Sequence, residues 1–216
     1  MDIKGKKINF LGDSITEGVG TSAKDKMYVN IIAEKYGAIC RNYGISGTEI
    51  ARQIGVPYEN CQDFCKRYQT MDDDADIVVV FGGTNDYGHG NTPLGEMSDR
   101  TVYTFYGACH TLFEGLINKY PESQIIVLTP FHRLNEDDPR AEHVRSFDTA
   151  PLKVYKDIIK EVAEYYSLPV LDIYANSGVQ PAVDIMREKY MPDGLHPNDR
   201  GNEIIVRMLT KFIENL

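Results

Sequence analysis

Two short segments of the chain are apolar at every position: Ile77-Val78-Val79-Val80-Phe81 and Ile125-Ile126-Val127-Leu128. A strand with one wet face alternates apolar and polar residues. An unbroken apolar run of four or five needs cover on both faces, the situation of parallel strands lying between helical layers. Comparable runs, β-branched or aromatic in part, occupy 7–11, 39–43 and 169–173, and the second of the two apolar segments extends over 124–129. Helical periodicity lies between them, at 27–36, at 99–120 up to Pro121, at 152–166 with Val154, Ile158, Val162 and Tyr165 on one face, and at 203–216 with Ile204, Val206, Leu209 and Ile213. Strand–helix alternation of this kind predicts an α/β sandwich of doubly wound type with a parallel sheet. Two irregular stretches, 87–98 and 131–150, are longer than ordinary connections, and such loops are often functional.

The chain has 216 residues, 42 % of them hydrophobic, and a net charge of −9. A chain of this size buries roughly 70 % of its unfolded surface in one core, so a single domain spanning 1–216 is expected. The acidic balance argues against a nucleic-acid partner or an anionic membrane surface, both of which reward a basic face. The densest cationic stretch, Lys4, Lys6 and Lys7, reads as a solvated start of the chain. No apolar run approaches the ~20 residues of a membrane span, and Met1–Lys7 has no apolar stretch behind its charges, which leads to an expectation of a cytoplasmic protein without membrane insertion. Cys40, Cys61, Cys65 and Cys109 match no common zinc spacing. They are read as reduced, mostly buried thiols, although Cys61 and Cys65 are spaced as on one helix face.

In open α/β sheets, ligands bind beyond the carboxyl ends of the strands. Those ends read Gly12-Asp13-Ser14, Gly44-Ile45-Ser46-Gly47-Thr48, Gly82-Gly83-Thr84-Asn85-Asp86 and Pro130-Phe131-His132-Arg133, and Asp193-Gly194-Leu195-His196-Pro197 follows near the end of the chain. Ser14 is a candidate nucleophile, but a serine hydroxyl needs an adjacent base. His196 supplies one, and Asp193, three residues earlier, can hold its imidazole in the required tautomer. The backbone N–H groups of Ser14 and Gly47 and the amide of Asn85 are the donor types that a developing oxyanion needs. Taken singly, each block has a plainer reading, since Asp and Ser cap helices, Asp-Gly forms turns, and Pro197-Asn198 can begin a helix. Capping does not explain why all of them fall at strand ends or just before the last helix.

These blocks resemble those of the SGNH hydrolases, the GDSL family of esterases and lipases: Gly12-Asp13-Ser14, a glycine after the second strand (Gly47, with Gly44 as competitor), Gly83-Thr84-Asn85-Asp86, and Asp193-Gly194-Leu195-His196, in that order. The resemblance spans nearly the whole chain. It implies a flavodoxin-like three-layer α/β/α sandwich with a five-stranded parallel sheet. It also implies Ser14 as nucleophile, His196 as general base and acid, Asp193 as its partner, and an oxyanion hole built from Ser14, Gly47 and Asn85. Neither a Gly-x-Ser-x-Gly elbow nor a phosphate-binding glycine loop is present, and no metal or cofactor is expected. Tyr87, His89, Phe131 and His132 in the rim loops are candidate substrate contacts. His110 reads as structural and His143 as solvated. The mixture of polar and aromatic groups suits a small O-acyl ester, an O-acetylated carbohydrate above all. Lysophospholipase, acyl-thioesterase and non-catalytic carbohydrate-binding readings are the alternatives. Oligomeric state is not legible.

Overall fold

The computed structural model describes residues 1–138 and 150–216. Five strands, β1 (Lys7–Gly12), β2 (Ile39–Gly44), β3 (Ile77–Phe81), β4 (Gln124–Leu128) and β5 (Val170–Leu171), form one sheet in the order β2-β1-β3-β4-β5. Every neighbouring pair is parallel. The helices of the described residues are α1 (Ser14–Glu17), α2 (Tyr28–Tyr36), α3 (Phe64–Arg67), α4 (Thr84–Gly88), α5 (Phe105–Lys119), α6 (Leu152–Tyr165), α7 (Ile173–Asn176), α8 (Asp184–Tyr190) and α9 (Asp199–Glu214). This is the three-layer α/β/α sandwich in the flavodoxin-like strand order. None of the described helices is long and apolar enough to cross a membrane.

The consecutive apolar residues of β3 are buried because they feed two cores. Val78 and Val80 join Leu11, Ile125 and Val127 under α3, α5 and α6. Ile77, Val79 and Phe81 join Ile8, Phe10, Ile126 and Leu128 under α2 and α9. The period-two alternation of strand side chains divides the run between the faces. The register sets Gly12 opposite both Gly44 and Phe81, and Phe81 opposite Leu128. The carboxyl ends of β1, β2, β3 and β4 therefore stop on one line. The chain reverses its winding direction between β1 and β3, which is the switch point where this topology opens a crevice.

Several sequence expectations shift. The helix expected over 99–120 begins at Phe105, because the Thr104 side chain accepts from the Gly107 N–H and caps it there. Tyr103 is consequently outside the helix and exposed, whereas Phe105 is fully buried. The irregular stretch after β3 starts with the short α4. Cys61 and Cys65 do not share a helix face: Cys61 lies before α3, with its thiol against the Val56 and Pro57 carbonyls (3.6 and 3.4 Å). The Cys65 thiol instead meets the Ile50 and Ala108 carbonyls (3.4 and 3.3 Å). His110 is buried in α5 with Nδ1 against the Tyr166 hydroxyl at 3.1 Å, a structural placement. His143 and most of the charged stretch around it lie outside the described residues.

Candidate active site

The site is assembled where β1 gives way to α1. Asp13 closes the turn by accepting from the Ile15 N–H at 2.9 Å, which starts α1 and leaves Ser14 as its first residue. Gly12 is required because a side chain there would drive into Thr16 on the same helix. Burial pushes the Asp13 carboxyl up to about 6, against the Ile15 N–H and the nearby His196 and Arg67, which favour its anion.

Across the crevice, Ser14 Oγ lies 3.0 Å from His196 Nε2. His196 Nδ1 lies 2.6 Å from Asp193 Oδ2. Asp193 Oδ1 accepts from the backbone N–H groups of Leu195 (2.9 Å) and His196 (2.7 Å), so a single carboxylate shapes the turn and orients the ring. Burial would raise the Asp193 carboxyl. The His196 N–H, the His196 ring and the Leu195 N–H together hold it below the ordinary carboxylate range. The turn is also braced from outside: Leu134 donates its N–H to the Gly194 carbonyl at 2.9 Å and packs its side chain over Gly194, whose φ is +79°. Ser14, His196 and Asp193 thus meet as the sequence pattern requires, although Ser14 and His196 lie 182 residues apart in the chain.

The second and third strand ends bring in the remaining donors. Asn85, on α4, is buried and spends one amide proton on the Thr48 carbonyl at 3.0 Å, which leaves its other proton for a ligand. Asp86 accepts from the Ile50 and Ala51 N–H groups, both at 2.9 Å, and so anchors the loop after β2 to α4. Burial raises the Asp86 carboxyl to about 7 despite those two donors. Among the described residues, the N–H groups of Ser14 and Gly47 donate to no other group. Of the two competing glycines, Gly44 is needed for packing, since a Cβ there would strike the α1 backbone at Thr16 and Glu17. Gly47 has φ +73° and open space where a side chain would be, which suits a backbone that a substrate approaches.

The rim residues are placed differently from one another. Tyr87 is fully buried against Tyr155 (ring centroids 6.0 Å apart), with its hydroxyl bonded to the Asn135 carbonyl. Phe131 is buried against Phe81 on the opposite core. Both side chains are packed into the cores and closed to solvent in this structure. His132 stacks on Tyr174 at 3.7 Å and meets Glu136 at 2.8 Å, so it braces its own loop. His89 is exposed beside Asn85, pairs with Glu49 at 3.1 Å, and is raised by that pairing. At the same rim Gln53 accepts from the Asn91 N–H. Sequence reasoning missed the anchoring role of Asp86, the brace from Leu134, and Arg67. Asp86 carried a signal, its place directly after Asn85; the other two carried none.

The model of the GDSL-like lipase/acylhydrolase family matches residues 10–204. A solved structure of a protein from Lactobacillus plantarum is 29 % identical, with a TM-score of 0.83 over 99 % of this chain and 98 % of the other. An acetylxylan esterase from Geobacillus stearothermophilus shares the fold at 24 % identity, with a TM-score of 0.64 over 99 % and 96 % of the two chains. A lipase/acylhydrolase from Enterococcus faecalis does so at 21 % identity, with a TM-score of 0.67 over 97 % and 96 %. Among curated proteins, nothing matches.

Proposed function

The chain belongs to the GDSL-like lipase/acylhydrolase family and is a carboxylic ester hydrolase, and on that premise we propose that it removes a small acyl group, chiefly acetyl, from a hydroxyl of a carbohydrate by way of an acyl-enzyme. The reading treats 1–216 as one hydrolase domain. The observation that carries it is the unbroken relay from Ser14 Oγ to His196 Nε2 (3.0 Å) and from His196 Nδ1 to Asp193 Oδ2 (2.6 Å).

Ser14 Oγ attacks the ester carbonyl while His196 Nε2 takes its proton. Asp193 stabilises the imidazolium so formed and keeps Nε2 aimed at Ser14. The tetrahedral oxyanion lies among the Ser14 N–H, the Gly47 N–H and the free proton of the Asn85 amide. The alcohol leaves with the proton held on His196. A water molecule then attacks the acyl-enzyme, giving its proton to His196, and the second oxyanion collapses as His196 returns that proton to the departing Ser14 Oγ, releasing the acid.

Two observations support a small polar ester. The accessible rim beside Asn85 is polar, with the Glu49–His89 pair and the Gln53–Asn91 contact. In addition, one neighbour in fold is an acetylxylan esterase. The test is a hydrolysis screen of p-nitrophenyl acetate, butyrate and octanoate beside acetylated xylo-oligosaccharides, an acyl thioester and a lysophospholipid. Acetate and the acetylated sugar are expected to lead, and preference for octanoate or the lysophospholipid overturns the substrate reading. Ser14→Ala should abolish all turnover while the far-UV spectrum is unchanged; an active variant overturns the assignment of the nucleophile.

A further inference from the structure

One guanidinium sits behind the proposed oxyanion hole and bonds the backbone at the ends of β1 and β2. We propose that Arg67 is a positioning residue for the hydrolysis: it fixes the Ser14 and Gly47 segments, and through Thr48 the Asn85 amide, relative to one another. The inference rests on the reading of Ser14, Gly47 and Asn85 as the hole.

Arg67 Nη2 donates to the Gly12 carbonyl at 2.9 Å and to Thr48 Oγ1 at 2.8 Å. Nη1 donates to the Tyr43 carbonyl at 2.6 Å and Nε to the Gln62 carbonyl at 2.8 Å. Gly12 ends β1 two residues before Ser14, and Tyr43 is the penultimate residue of β2, just ahead of the loop carrying Gly47. Thr48 follows Gly47 directly, its hydroxyl closes the loop on the Ile45 carbonyl at 2.8 Å, and its own carbonyl accepts the Asn85 amide at 3.0 Å. Each of the three donors is therefore joined to the same planar group by a short path of backbone and hydrogen bonds.

The Gly12 carbonyl also accepts the Ile45 N–H at 3.2 Å, and a carbonyl's second lone pair can take a further donor that ties neighbouring strand-end carbonyls together. A planar fork can serve two of them and a hydroxyl at fixed angles, which the single nitrogen of a lysine cannot do. The Phe64 ring, 4.9 Å from the guanidinium carbon, supports its face. All four hydrogen bonds go to neutral oxygens. Burial lowers the group to about 10, so it keeps its charge at neutral pH. Misplacing reacting groups by about 1 Å costs ~10²-fold in rate, and loosening this clamp acts on both oxyanion-forming steps.

The test compares Arg67→Met, Arg67→Lys and Thr48→Val with the wild type on p-nitrophenyl acetate, with thermal melts for each. Arg67→Met should lower kcat by about 10–100-fold with KM nearly unchanged, because the donors are needed most in the transition state. Arg67→Lys should recover only part of the loss. A folded Arg67→Met enzyme with kcat within about twofold of wild type, or one that loses KM alone, overturns the proposal. If Arg67→Met does not fold, Thr48→Val decides: a several-fold fall in kcat supports the clamp and an unchanged kcat overturns it. A catalytically active Ser14→Ala would instead overturn Ser14 as nucleophile and with it the reading on which this proposal rests, an outcome separate from any of these.

Discussion

Gly44 and Gly47 stand three residues apart and are glycines for different reasons. The first lets α1 lie directly on the end of β2, and the second lets the backbone take a left-handed turn facing open space. Sequence alone left them as competitors, because the reason for each lies in what surrounds it. Asn85 was legible as a donor type, but the bond to Thr48 that holds its amide in place was not. If its free amide proton meets the oxyanion, Asn85→Ala should cut kcat by roughly 10²–10³-fold while KM changes little. Steady-state kinetics on p-nitrophenyl acetate measures this, and an undiminished kcat takes the residue out of the hole. Arg67 was invisible for a plainer reason. It sits in a four-residue helix with no motif around it, and its four acceptors are neutral oxygens, three of them backbone carbonyls, which no residue type announces.

At the scale of elements, the strands and the long helices could be read because burial on two faces or on one stripe leaves a period in the sequence. The short helices α1, α3, α4 and α7 could not, since four or five residues complete too little of a turn pattern to show one. Yet α1 and α4 carry Ser14 and Asn85. The last helix joins the two readings that its sequence allowed. Asn198 caps α9 by accepting from the Arg200 and Gly201 N–H groups at 3.0 and 3.1 Å. The turn immediately before it pairs Asp193 with His196. Asn198 also donates to the Lys189 carbonyl at 3.0 Å and so ties α9 to α8. Asn198→Ala should cost about 1–2 kcal/mol of stability through the lost cap. A urea titration reads the change, and an unaltered midpoint means the cap contributes nothing to α9.

For the molecule as a whole, stability should respond to pH through groups of opposite sign. Asp86 and Asp13 are raised by burial to about 7 and about 6, above the 3.8 of a free Asp. Between pH 4 and 7 the folded state therefore holds protons that the unfolded chain has released, and stability from these groups falls as pH rises through that window. Asp74, held at about 2 by Arg41 and Lys7, acts the other way: its contribution is present above pH 4 and is lost as pH falls through 2. Asp86→Asn removes one titrating group. Its stability relative to wild type should improve steadily from pH 4.5 to 7 and then level off, as followed by urea midpoints at several pH values. A difference that is constant with pH means that Asp86 ionises as a free carboxyl does. The relay itself has a consequence for biosynthesis. The partner of Ser14, His196, is synthesised 182 residues after it. A nascent or prematurely terminated chain carries an ordinary, inert serine, so esterase activity switches on only when the sheet has closed and the final turn has been made, and covalent labelling at Ser14 would date that moment in a pulse-chase experiment.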